Sequence, residues 1–305
     1  MKLSLFIEKH FWVFLIAGLV LGLIVPFYND LLMMLLKPFL MIMLFLVFLK
    51  TDVAHIFTKM KNYKQMILLS LSFMIIIPLL LFFVINTFDQ TLAMGVLLLT
   101  SMPAAVASPA LTDIVKGNIA LSTSIVIITS IIAPLTVPFL FWLIQFEGLS
   151  VSPWLLFKDL AIVIIVPIIA SQLLKKYVHE SITKKSHLIT PINVIILSLM
   201  VYIAMASQRD VIISDLRGVL WHTFLLYAVF VLLHFIGHLM GYGEDREGKI
   251  AITVASAYKN NGMAIVLAVL YFQPAILILM VLSELPWNTL LVPYKKIVEY
   301  KKQKQ

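Results

Sequence analysis

Apolar stretches of roughly twenty residues recur along the whole chain, separated by short polar or charged segments. At 1.5 Å per residue, a helix of that length crosses about 30 Å of hydrocarbon. Ten such spans can be drawn, at approximately 10–28, 31–50, 64–87, 90–113, 118–146, 154–174, 188–208, 217–241, 248–272 and 273–294. The pattern predicts an all-α polytopic membrane protein. The first span lacks a small-residue cleavage site after a short apolar core, so it is expected to be a retained helix rather than a signal peptide.

Two spans are interrupted at their middles. Span four carries Ser101-Met102-Pro103-Ala104-Ala105-Val106-Ala107-Ser108-Pro109, where Pro103 and Pro109 delete amide donors and push the preceding residues out of helix. Span nine carries Lys259-Asn260-Asn261-Gly262. An ammonium and non-helical backbone at bilayer depth are tolerated only where they line a protein-enclosed cavity. With five spans on each side of the Phe146–Pro153 linker, the second half runs inverted relative to the first. The expected division is 1–147 for the first repeat and 148–305 for the second repeat with a short tail. Interrupted helices at matching positions of two inverted halves point to the binding site of a secondary transporter, with the broken fourth and ninth helices crossing. Half-helix amino ends there present free N–H groups and suit an anion. The bland alternative is that Pro103, Pro109 and Gly262 merely kink their helices. The shared depth of the two breaks favours a site.

Composition agrees with the class and narrows the chemistry. The 305 residues are 62 % hydrophobic and only 12 % charged, far from a soluble mix. There is no cysteine, which excludes disulfides, thiolate metal sites and thiol nucleophiles. An isoelectric point near 9.5 could suggest nucleic acid, but the basic residues lie in short loops. Lys50, Lys59, Lys61 and Lys64, then Lys175, Lys176, Lys184 and Lys185, and the lysine-rich tail all fall on one side. The opposite loops hold Arg209 and Arg217. The positive-inside rule then places both termini in the cytoplasm of a cell-membrane protein, as an even number of spans requires.

Pro103 to Ser108, then Lys116-Gly117-Asn118-Ile119-Ala120-Leu121-Ser122 and Ala133-Pro134-Leu135, resemble the fourth and fifth helices of the bile acid:sodium symporter family. Asn260 and Gly262 resemble that family's Gln-Asn-Ser-Gly crossover, and Trp287-Asn288 falls where it usually carries His-Asn. The resemblance implies alternating access of a panel of spans against a core, and substrates among bile acids, 2-oxo acids and related carboxylates. It also implies where sodium ligands would stand. Ser108 and Ser122 match them, whereas Pro109, Val126 and Ala255 replace the Asn, Thr and Glu, and Lys259 replaces a Gln. Loss of the carboxylate removes the hard anionic ligand a cation wants. The chain is therefore identified as a member with degraded sodium sites, in which Lys259 supplies the positive charge.

The expected function is sodium-independent transport of small organic anions, a transporter and not an enzyme, with no cofactor, no metal and no nucleic acid. The partners are the anion, the lipid bilayer and, as a second candidate, protons. Ser108, Lys259, Asn260, Asn261 and Asn288 are the expected substrate-binding residues, the three asparagines as side-chain donors. Glu284, mid-depth in span ten, is expected to pair with Lys259, since lone buried charges are costly. His234 and His238, spaced i, i+4, read as packing histidines, and no third ligand completes a metal set. Lys37 is expected to snorkel outward and Lys158-Asp159 to form an interfacial pair. Alternatives are a cation/proton antiporter, which usually needs buried core aspartates, an arsenite exporter, which needs a crossover cysteine, and an intramembrane enzyme, which needs a Ser–His, two-Asp or metal constellation at one depth.

Overall fold

A computed structural model describes residues 6–7, 10–50, 63–144 and 152–303. The described residues are helical throughout, with one isolated antiparallel bridge and no strand. The helices are α1 (Phe11–Ile24), α2 (Asp30–Lys50), α3 (Tyr63–Leu71), α4 (Ile77–Ile85), α5 (Gln90–Ser101), α6 (Ser108–Ile114), α7 (Ile119–Ile144) and α8 (Pro153–Lys185). They continue as α9 (Ile189–Ser214), α10 (Leu216–Met240), α11 (Arg246–Ala257), α12 (Asn261–Tyr271), α13 (Pro274–Leu282), α14 (Glu284–Thr289) and α15 (Leu291–Gln303). A π-helical turn, Ser72–Ile76, joins α3 to α4.

Among the described residues, seven helical stretches are long and apolar enough to cross a membrane, so the chain is a multi-pass membrane protein. Three shorter apolar helices, Val13–Ile24, Gln90–Ser101 and Asn261–Tyr271, fall where the other three of the ten spans were drawn. The last two are short because spans four and nine are divided, α5 from α6 by residues 102–107 and α11 from α12 by residues 258–260. The first helix also stops earlier than its apolar run, at Ile24. In the other direction, α8 continues to Lys185. Span ten runs as one stretch, Pro274–Tyr300, whose backbone keeps helical angles through Ser283 and Leu290. Pro286 has no N–H to offer the carbonyl one turn back. The linker and the boundary between residues 147 and 148 lie outside the described residues.

Packing sorts the helices into two groups. Helices α1, α2, α8 and α9 pack mainly on one another, α1 on α9 and α2 on α8 most extensively. The remainder surround the divided helices. The α7 span is 72 % buried and the Asp30–Leu49 span 22 %, so α7 lies inside and α2 toward the periphery. Close approach depends on small residues, as expected where lipid gives no hydrophobic drive between helices. A Cβ on Gly18 would lie 2.6 Å from the Ser198 carbonyl, and one on Gly237 would lie 2.8 Å from Thr253 Cα. Without these glycines, α1 could not seat on α9, nor α10 on α11.

Two charged expectations change. Lys37 does not snorkel outward; its Nζ lies 2.9 Å from Asp159 Oδ1, tying α2 to α8. Asp159 is thereby paired across the packing and not with its neighbour Lys158, because adjacent residues on a helix point about 100° apart.

Candidate functional site

The two divided helices meet at their breaks. Ala104 and Lys259 form the antiparallel bridge. The Ala105 amide donates to Tyr258 O at 2.8 Å and the Asn260 amide to Pro103 O at 2.9 Å. These bonds satisfy backbone groups that the prolines and the polar run leave without helical partners, at a depth where no water can do so. Side chains complete the crossover. Thr129 Oγ1 accepts from the Ala104 amide at 3.1 Å, and Trp287 Nε1 donates to Lys259 O at 3.1 Å. The Trp287 ring stands edge-on to Tyr258, centroids 5.5 Å apart.

Each expected site residue has a definite place. Asn260 caps α12, its Oδ1 accepting from the Met263 amide at 3.1 Å, and its Nδ2 makes no hydrogen bond among the described residues. Ser108 opens α6 directly against the crossover, with Oγ 3.5 Å from Tyr258 O. Ser122 is fully buried on α7 and accepts from Thr112 Oγ1 at 3.1 Å. The two serines thus share α6. Pro109 stands in the first turn of α6, where a missing N–H costs nothing. Gly262 lies in the first turn of α12.

Lys259 is 1 % exposed and does not reach Ser108, Ser122 or Glu284 with a hydrogen bond. Its Nζ donates to Phe73 O at 3.3 Å and stands 5.2 Å from the centre of the Phe73 ring. The ion pair with Glu284 expected above is therefore not formed. The lysine side chain leaves the crossover toward the π-helical turn of span three. Glu284, 1 % exposed, turns instead to its own helix, where Asn288 Nδ2 donates to its backbone oxygen at 2.7 Å and to Oε2 at 3.1 Å.

The asparagines also differ from the donors they were expected to be. Asn261 Nδ2 is engaged by Ser283 Oγ at 2.9 Å and Asn288 Nδ2 by Glu284, so their free atoms are oxygens. Asn260 alone of the three keeps an uncommitted amide nitrogen. Two residues that were not among the expected binding residues touch the crossover, Phe73 and Trp287. Trp287 was noted only for where it stands, and Phe73 had a signal in Pro78 five positions later.

A model of the Sodium Bile acid symporter family matches residues 37–215. The chain belongs to that family. It is 29 % identical over 189 residues to the "Uncharacterized sodium-dependent transporter YocS" of Bacillus subtilis (strain 168), covering 60 % of this chain and 57 % of that protein. It is 25 % identical over 189 residues to the "Probable sodium/metabolite cotransporter BASS4, chloroplastic" of Arabidopsis thaliana, covering 56 % and 43 %. The match to the "Probable sodium/metabolite cotransporter BASS1, chloroplastic" of Oryza sativa subsp. japonica is 25 % over 190 residues, covering 59 % and 44 %. The matched region thus spans about half the length of these curated relatives. The family match includes Ser108 and Ser122 and ends before Lys259, Asn260 and Glu284. The half of the crossover that carries the buried charge lies beyond it.

Proposed function

We propose that this chain is a secondary transporter of small organic anions, working by alternating access and without sodium. The observation that carries this reading is the antiparallel meeting of two divided helices around one buried lysine. An ammonium has three donors, and Phe73 O takes one, leaving two for a carboxylate. Asn260 Nδ2 adds an uncommitted amide donor, and the amino end of α12 adds the positive end of a helix dipole. In this reading Ser108 and Ser122 are what remains of a sodium-ligand set, and Lys259 supplies a fixed or protonatable positive charge in place of the ion. Relatives named as sodium-dependent support transport as the activity. The lysine is the reason to part from them on sodium.

In this reading ten spans form two inverted repeats, residues 1–147 and 148–305, with both termini in the cytoplasm and the protein in the cell membrane. The panel is α1, α2, α8 and α9, and it moves against the core that holds the crossover. The test is uptake of a panel of labelled 2-oxo acids, hydroxy acids and bile acids into proteoliposomes, in NaCl and in choline chloride. Saturable uptake of at least one carboxylate, equal in the two salts and lost in Lys259→Met, is expected. Uptake that rises tenfold or more with Na⁺ would sink the sodium-independent reading. A panel with no saturable uptake would sink the anion reading.

A further inference from the structure

Three buried oxygens beside the crossover have no donor: Glu284 Oε1, Asn261 Oδ1 and Asn288 Oδ1. Their residues are 1 %, 4 % and 9 % exposed. The orientation of each amide follows from what its nitrogen touches. Turned over, Asn288 would set its oxygen against the Glu284 carbonyl and carboxylate, both acceptors. Turned over, Asn261 would set its oxygen against Ser283 Oγ, whose one hydrogen is already on Met280 O at 2.6 Å. The Asn288 amide must therefore present oxygen on its free side, and Asn261 does so while Ser283 keeps its bond to Met280 O.

No cation answers the carboxylate. Among the described residues Glu284 has no ion-pair partner. Its helix, α14, packs on α10, α13 and α15 and faces the crossover. From α10 come Tyr227, bonded to Thr289 at 2.8 Å, and His234, bonded to Phe230 O, edge-on to Tyr258 and tilted against Tyr294. Helix α13 carries no ionisable side chain. From α15 come Tyr294, in that same ring cluster, and Lys295, paired with Glu299 at 3.9 Å. The crossover brings Tyr258 and Lys259, whose ammonium is turned to Phe73.

Acceptors without a donor are the wrong complement for an anion and the right one for a proton or a cation. A hard metal ion wants on the order of six oxygen ligands, more than the three here, whereas a proton needs one acceptor. A proton is the smaller demand. An unpaired carboxylate so deeply buried neutralises rather than stay charged, and the resulting O–H can donate to either amide oxygen. We propose that Glu284 is a proton-carrying group of the transport cycle. Its proton sits on Oε1, shared with Asn261 or Asn288 while the site is occluded, and exchanges with water on whichever side the crossover opens. Only an O–H bond forms and breaks, and water on the two faces supplies and receives the proton. The idea deepens the anion-transport reading and rests on it for the cycle, but the site itself can be tested with no anion present.

The test is infrared difference spectroscopy of the purified full chain in detergent at neutral pH, in H₂O and in D₂O. A protonated-carboxyl stretching band that moves down in D₂O is expected in the wild type and is lost in Glu284→Gln, whose amide keeps an N–H for the neighbouring oxygens. Asn261→Ala should keep the band but shift it, which gives a second reading where Glu284→Gln fails to fold. No such band in the wild type, or a band unchanged by both variants, overturns the proposal. So does thermal stabilisation by NaCl over choline chloride that Glu284→Gln abolishes, because the three oxygens would then hold a metal ion. A band with no carboxylate uptake would remove the transport reading alone. Uptake without the band would remove the proton site alone.

Discussion

The Lys259 ammonium donates to the Phe73 carbonyl at 3.3 Å, and the sequence of span three explains why that carbonyl is free. In the turn Ser72–Ile76, the Ile77 amide bonds to Ser72 O, five residues back. The next amide in that register would serve Phe73 O, but it belongs to Pro78, which has no N–H. A π-helical turn followed by proline thus leaves one buried carbonyl without a helical donor. The lysine of the second broken helix fills it. The lysine amine is held by a backbone oxygen and an aromatic face, with no carboxylate beside it, and in the proposed reading an entering anion supplies the counter-charge that keeps it protonated.

This tether predicts a specific dependence on Pro78. Leaving a buried carbonyl unsatisfied costs about 1–3 kcal/mol, so Lys259→Met should lower the stability of the purified protein by that order. In a Pro78→Ala background the alanine N–H can take over Phe73 O, and the same substitution should cost less. Denaturation of the four proteins measures the difference. Equal losses in both backgrounds would mean that the carbonyl is not what the lysine serves.

Lys259 and Glu284 should behave as separate residues. Direct partners show coupling, whereas groups with no shared partner add within about 0.5 kcal/mol. The stability losses of Lys259→Met and Glu284→Gln are expected to sum in the double variant. A double variant clearly more stable than that sum would restore the ion pair that the geometry does not show.

Much of the architecture was readable from residue order, and most side-chain partners were not. Apolar run length marks the helices, and Pro103, Pro109 and Gly262 mark where two of them divide. Those breaks free backbone groups, and that they satisfy one another through Ala105–Tyr258 and Asn260–Pro103 is a tertiary fact. Periodicity gives no register within a helix that is apolar all round, so a π-helical turn at Phe73 leaves no trace in it; Pro78 alone hints at the free carbonyl. Charge counting suggested Lys259 with Glu284 and Lys158 with Asp159 because those pairs share a depth or adjoin in sequence. Direction decided otherwise in both cases.

The contact between α2 and α8 should depend on Lys37 and Asp159 as a pair. Their side chains are 28 % and 32 % exposed, so the bridge is partly solvated and worth only about 1 kcal/mol. Lys37→Met or Asp159→Asn should each cost that order, and exchanging the two residues should recover most of it. Melting curves of the single and exchanged variants provide the check. An exchanged protein less stable than either single variant would mean that fixed neighbours, and not the partner charge, set the cost.

Asn260 does two jobs that substitutions can separate. Its oxygen caps α12 through the Met263 amide, and its nitrogen is the uncommitted donor at the crossover. Asn260→Ala removes both and should cost about 1 kcal/mol of stability, the usual value of an N-cap, together with anion uptake. Asn260→Asp keeps an acceptor for Met263 and adds negative charge at a helix amino end, which is favourable. It should therefore melt above the alanine variant. It also replaces the free N–H by a carboxylate facing the proposed anion, so uptake should be lost as completely as in the alanine variant. Melting and proteoliposome uptake on the same preparations separate the roles. If Asn260→Asp both melts and transports like the wild type, the amide nitrogen does not meet the substrate and Asn260 is a cap alone. If it is stable and inactive, the nitrogen is part of the binding site, and the anion lies within hydrogen-bond reach of the amino end of α12.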